Sequence, residues 1–448
     1  MMNSGFAFRA IAAAALTLVA APAFSENAPA PPPASEQETA NQIAGEIELI
    51  RGLKFKQPVR VESQSVDDFG KYVSHELDTA VPKSIRENYG TIVRTLGLYK
   101  GPPIDDFSSL MTTVMTSQVG AYYDPEKRAF FVVMSGMPEL MRGVLYSHEL
   151  YHALQDQYFD LTRYTGTAHT INSDVRLARS AVVEGEATYM MSLWAVQKMA
   201  GQQPTRAMMS QVVAMQSNMS MDQLREALKQ PQVAEALGDD VKKSVDAARD
   251  IPAFIIDSMM GVYFKGMSFV FAVQDQGWPA VEKLYGEYPP QSTEHILHPE
   301  KWLAREAPVS FEWPKFGKIA ALRDWQLLDD DVLGEFQWRT VFREQGLAAE
   351  SESVAAGWGG DRYAVFKRKD SDATLLLLRT SWDSEQDAKE FADAYRRVWA
   401  SKYANPPVPT LLEQSGSDVY VVEGGDENSI DALMKVVKRA KHKTLAMN

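Results

Sequence analysis

His148-Glu149-Leu150-Tyr151-His152, HELYH, lies between the apolar run Gly143-Val144-Leu145-Tyr146 and the continuation ALQDQYF at 153–159. The stretch from Pro138 to Phe159 has helical periodicity. On an α-helix, residues four apart lie about 40° apart around the axis and one turn apart along it. His148 and His152 therefore project from one face, where both imidazoles can reach one ion. Glu149 points toward the same pocket at a different angle, where a carboxylate can take a proton from water. Residues 75–79, HELDT, share the first three letters but place Thr79 where the second histidine belongs, so His75 reads as a surface residue.

A catalytic metal site on such a helix needs a third protein ligand. The chain contains no cysteine, so every ligand must be His, Asp or Glu. Residues 182–190, VVEGEATYM, fall on a helix expected from near Asp174 to Ala200, with Ser173 as its N-cap. There Glu184 can complete a His2Glu set, and Gly185 and Ala187 permit close backbone approach to the motif helix. Farther on, Tyr263-Phe264-Lys265-Gly266 opens an apolar stretch, 267–272.

With HExxH, E-G-x-A-x-Y and Y-x-K-G in that order, the chain resembles the gluzincin zinc peptidases, specifically their aminopeptidase-N-like branch, over about residues 119–290. The resemblance implies that His148, His152 and Glu184 bind one Zn2+ per chain, that Glu149 is the general base, and that Tyr263 donates a hydrogen bond to the developing oxyanion. Glu186 competes as third ligand, since Glu-Ala also follows the thermolysin-like pattern; the fuller E-G-x-A-x-Y match favours Glu184. The chain departs from the branch in three ways. Val183 replaces its asparagine, 31 residues (153–183) separate His152 from Glu184, and no Gly-x-Met-Glu-Asn segment precedes the motif. VGAYYDPEKRAFF, 119–131, occupies that last place and resembles the edge strand that aligns an extended peptide in gluzincins, which makes Tyr122 and Tyr123 candidate substrate contacts. An endopeptidase is accordingly preferred over an aminopeptidase. In PPQSTEHILHP, 289–299, His295 and His298 follow the catalytic segment, and His298 is a third candidate substrate contact. His169 is assigned no role.

The chain has 448 residues, 45% hydrophobic and 23% charged, which is enough for two or three domains with real cores. A net charge of -13 argues against nucleic acid or an anionic membrane surface as the main partner. Residues 1–25, with Arg9 before an apolar stretch from Ala10 to Ala21, read as a cleaved export signal, giving a periplasmic or secreted protein without stable membrane insertion. Residues 26–40 read as a Pro/Ala-rich linker, with folded structure from Asn41.

The expected fold class is α+β: a mainly helical zincin-like catalytic domain, 41–307, with a lead-in subdomain and a small edge sheet, then a small C-terminal α+β domain, 308–448. The lead-in reads as helices at 42–53, 66–79 and 82–96 with a strand at 59–63, and the edge sheet as a hairpin at 119–134. Residues 201–260 read as helical and Met-rich, with Met208, Met209, Met215, Met219 and Met221 filling a core. In the last domain strands are expected at 361–368, 373–380 and 418–423 and helices at 384–403 and 429–441. The expected function is an exported zinc metallopeptidase acting on a peptide or protein substrate. The alternatives are a non-catalytic periplasmic binding or assembly protein that keeps a zinc site, or a zinc hydrolase of non-peptide amides.

Overall fold

The computed structural model describes residues 35–133, 139–167, 170–217, 251–403 and 408–443. The expected signal, most of the linker, His169, Met219 and Met221 lie outside them. Helix α1 (Glu36–Arg51) starts inside the expected linker because Ser35 and Glu38 form a capping box: Glu38 N donates to Ser35 Oγ at 3.2 Å, and Ser35 N donates to Glu38 Oε2 at 2.9 Å. Strand β1 (Arg60–Ser63) and helices α2 (Val66–Ala80) and α3 (Lys83–Thr95) follow near their expected places. Helix α4 (Phe107–Gln118) was not expected; Asp106 caps it by accepting from Ser109 N at 2.9 Å.

Strands β2 (Ala121–Asp124) and β3 (Ala129–Val132) form the hairpin, whose turn Asp124 Oδ1 closes by accepting from Glu126 N and Lys127 N. β1 joins β3 in parallel, leaving β2 at the sheet edge. Next come α5 (Glu139–Phe159), α6 (Ser173–Ala200), α7 (Arg206–Ser217) and α8 (Ala253–Val273). The cap of α6 is Asn172, which accepts from Val175 N at 2.8 Å; the expected cap, Ser173, instead hydrogen-bonds Asp331. Of the α7 methionines Met209 is buried, Met208 half-buried and Met215 exposed, so only part of that group fills the core.

Glycines decide how α6 meets α8. A Cβ on Gly266 would lie 2.0 Å from the Ala181 carbonyl oxygen, and one on Gly185 would lie 2.1 Å from the Gly266 carbonyl carbon. Gly185 therefore admits α8, not the motif helix as the sequence reading had it, and EGEATY docks on YFKG backbone to backbone. Residues Ala253–Gln276 are apolar and long enough to cross a bilayer by length and composition, but 67% of their most apolar window is buried inside the protein.

Besides shorter helical turns, the rest of the chain includes β4 (Ser310–Glu312), β5 (Trp325–Asp331), α9 (Gly334–Glu344), β6 (Trp358–Arg368), β7 (Thr374–Trp382), α10 (Glu385–Lys402), β8 (Thr410–Ser415), β9 (Asp418–Gly424), α11 (Ile430–Lys438) and β10 (Lys441–Lys443). Five of the strands form an antiparallel sheet in the order β5-β6-β7-β9-β8. The run Leu375 to Leu378 feeds both faces, as a strand's alternation requires. Leu376 and Leu378 join a core that also holds Phe391 and Tyr395 of α10, Trp338 of α9 and the buried side chains of α5, α6 and α8. Leu375 and Leu377 pack with Leu433, Met434 and Val437 of α11 in a second core. The fold class is α+β, and the expected division at residue 308 is crossed by the larger core.

Candidate metal centre

Two helices build the site. Buried α5 carries His148, Glu149 and His152; beside it, α6 carries Glu184, and all four side chains are at most 2% exposed. His148 Nε2 and His152 Nε2 lie 3.0 Å apart, and each faces Glu184 Oε2, at 3.3 and 3.2 Å. The two rings meet edge to face at 88°.

These atoms fit a metal ion on their own chemistry. A tetrahedral ion with bonds of about 2.0–2.1 Å spaces its ligand atoms by about 3.3–3.4 Å, so the three separations describe one slightly compressed face of such a polyhedron. In the tautomers that leave a lone pair on each Nε2, these two nitrogens and Glu184 Oε2 are three acceptors facing one another, an arrangement that a cation among them satisfies. Of the two carboxylates weighed from sequence, Glu184 converges on both imidazoles. Glu186, two residues on, accepts instead from Tyr151 and Tyr285 and pairs with Arg51.

Glu149 turns toward the hairpin, where its Oε2 accepts from the backbone N–H of Tyr123 at 3.0 Å. That edge-strand contact fixes the orientation of the carboxylate. The ring of Tyr263, on α8, is centred 5.9 Å from that of His148, brought there by the α6–α8 glycine crossing. Thus His148, His152 and Glu184 converge, with Tyr263 of a third helix next to His148 and Glu149 next to His148 along α5.

The other sequence candidates are placed differently. Tyr122 is fully buried, stacked against Tyr72 and Phe131, with its hydroxyl donating to Gln64. Tyr123 is 2% exposed and its hydroxyl donates to Asp156. Both side chains are therefore core residues in this structure, because β2 is buried on both faces. His298 faces Glu335, 3.0 Å away, with Arg339 beside it. His295 is buried and held on the Glu306 carbonyl. Neither histidine is brought to the cluster.

Burial pushes the His148 imidazole down from its ordinary 6.5 to about 4, against the Glu184 contact that favours its charged form. It is therefore neutral at pH 7, as a metal ligand must be. Burial would raise the Glu184 carboxyl, but the two imidazoles outweigh it and hold the group well below the ordinary carboxylate range. The sign follows for the metal-free protein. Between pH 6.5 and about 4 the unfolded chain takes up a proton at His148 that the folded chain refuses. Stability falls as pH drops through that window, by up to roughly 3 kcal/mol from this group. The change in urea midpoint between pH 7 and pH 4.5, compared between the metal-free wild type and a His148→Gln variant, isolates this group from buried carboxyls such as Glu294 that titrate in the opposite sense; the same change in both proteins would contradict it.

Residues 325–438, from β5 through α11, match the family described as a domain of unknown function (DUF8575). No curated protein and no solved structure matches the chain. The matched segment contains none of the cluster residues.

Proposed function

We propose that the protein is an exported, zinc-dependent peptidase of gluzincin type. The observation that carries this reading is the convergence of His148 Nε2, His152 Nε2 and Glu184 Oε2 within 3.3 Å, with a carboxylate base candidate one residue along α5. A buried ion needs no adjacent carboxylate to hold it, and hydrolysis does.

His148, His152 and Glu184 would hold the zinc, which supplies a Lewis acid and brings the pKa of a water toward neutrality. Glu149, aimed by the Tyr123 N–H, takes the proton of the attacking water and later delivers one to the leaving nitrogen. The Tyr263 hydroxyl donates to the oxygen that gains negative charge as the carbonyl becomes tetrahedral. An endopeptidase is preferred, because no Gly-x-Met-Glu-Asn segment is present to hold a free amino terminus.

Hydrolysis of a mixed-peptide substrate by the full chain should stop on chelation and return with one equivalent of zinc. N-acetylated peptides should be cut as well as free ones. Tyr263→Phe should lower kcat by about 10²–10³-fold with zinc retained. Tight zinc binding without hydrolysis of any peptide would favour the binding-protein alternative and sink the peptidase reading.

A further inference from the structure

A buried polar network reaches the metal centre from behind, and no sequence motif announces it. Glu186 lies at its middle, fully buried. Tyr151 donates to its Oε1 at 2.6 Å and Tyr285 to its Oε2 at 2.5 Å. Arg51 of α1, 3% exposed, donates to the Tyr151 hydroxyl at 2.8 Å and lies 3.4 Å from Glu186 Oε1. Gln155 Nε2 contacts Glu186 Oε2 at 3.0 Å, the Val183 carbonyl at 3.1 Å and the Tyr285 oxygen at 2.7 Å. On its other side Gln155 Oε1 sits 2.8 Å from His152 Nδ1.

The chemistry of these partners fixes the orientation of the amide. A carbonyl and a carboxylate only accept, so the end of Gln155 that faces them must be the NH2 group. The amide oxygen therefore faces His152 and must accept from Nδ1–H. The neutral imidazole has one N–H, so its Nε2 is left with a lone pair directed at His148 and Glu184. His148 Nδ1, by contrast, has no hydrogen-bond partner among the described residues.

We propose that Glu186 is a positioning residue for the metal centre: acting through Gln155, it selects the His152 tautomer whose Nε2 is free to bind the ion. This rests on the zinc reading of the cluster. Arg51 and the two tyrosine hydroxyls keep Glu186 in place as the acceptor that Gln155 requires.

In Glu186→Gln an amide replaces the carboxylate and can turn its NH2 toward Gln155, leaving the Val183 carbonyl as the one pure acceptor that still holds the Gln155 amide and so weakening its orientation. Zinc affinity, read by competition with a chromophoric chelator, should fall by about 10–100-fold. Gln155→Met should cost a similar factor. In the Gln155→Met background Glu186→Gln should then lower the affinity no further, because the path from Glu186 to His152 is already cut. Additive losses, or an unchanged affinity in Glu186→Gln, would overturn the inference while leaving the zinc site standing. A wild-type protein that binds no zinc would overturn both. Should either variant fail to fold, the wild type decides: nitrogen-15 spectra of the metal-free chain, with His152 assigned among the seven histidines by a His152→Gln control, should show its proton already on Nδ1. A proton on Nε2 would reject the proposal.

Discussion

On the proposed peptidase reading, replacing Glu149 by glutamine should lower peptide hydrolysis by about 10²–10⁴-fold and leave the zinc content unchanged. The amide is nearly isosteric with the carboxylate and can still accept the Tyr123 N–H that holds position 149. It cannot take a proton from water. The proposed ligand set of His148, His152 and Glu184 is untouched, so a loss of metal would mean that Glu149 has another role, and full activity in a zinc-loaded variant would remove it from the proposed mechanism. Steady-state rates and elemental analysis on the same preparation give both readings.

Gly266→Ala costs about 3 kcal/mol or more, because the added methyl meets backbone that cannot rotate away. The Ala181 carbonyl oxygen would be 2.0 Å from the new Cβ, and Gly185 Cα 3.1 Å. To accept it, α6 and α8 must separate, which moves Glu184 and Tyr263 as well as opening the core. Gly185→Ala meets the same obstacle from the other side, at 2.1 Å. Gly45, in the middle of α1 with nothing within 4 Å of its missing Cβ, is the control, and Gly45→Ala should stabilise by about 0.5–1 kcal/mol. Urea denaturation of the three variants measures both signs; a Gly266→Ala protein as stable as the wild type would contradict the described crossing.

The elements that carry the cluster were legible because their patterns are local. Two histidines four apart on an apolar helix follow from spacing within one element, whereas Glu184 and Tyr263 are picked out by the order of the EGEATY and YFKG segments after the motif, which is where the resemblance lies. Which element Gly185 faces follows from neither. The sequence reading paired it with the motif helix, and only the arrangement of α6 against α8 corrects that.

What was missed depends on partners distant in the chain or on weak local preference. Residues 107–118 contain three threonines and three serines among apolar residues, and α4 forms there on its Asp106 cap and its packing. β5, to which no element is assigned from sequence, ends in Asp329, Asp330 and Asp331, of which Tyr363 and Arg362 of the neighbouring strand bind Asp329 and Asp330. Tyr122 and Tyr123 read as an edge strand, correctly, but a strand buried on both faces gives their rings to the core. Glu186 was weighed only as a rival ligand, because its partners Arg51, Tyr151 and Tyr285 span more than 200 residues. The capping box at Ser35 and Glu38 was the one strong local signal passed over, hidden by the Pro-rich stretch before it.

The central claim is that His148, His152 and Glu184 form one metal site, and zinc stoichiometry tests it most directly. The full chain, incubated with zinc and freed of excess, should hold close to one ion per chain by elemental analysis, and a His148→Ala, His152→Ala double variant with unchanged helical circular dichroism should hold none. No zinc in the wild type, or the same zinc in the double variant, would contradict the account.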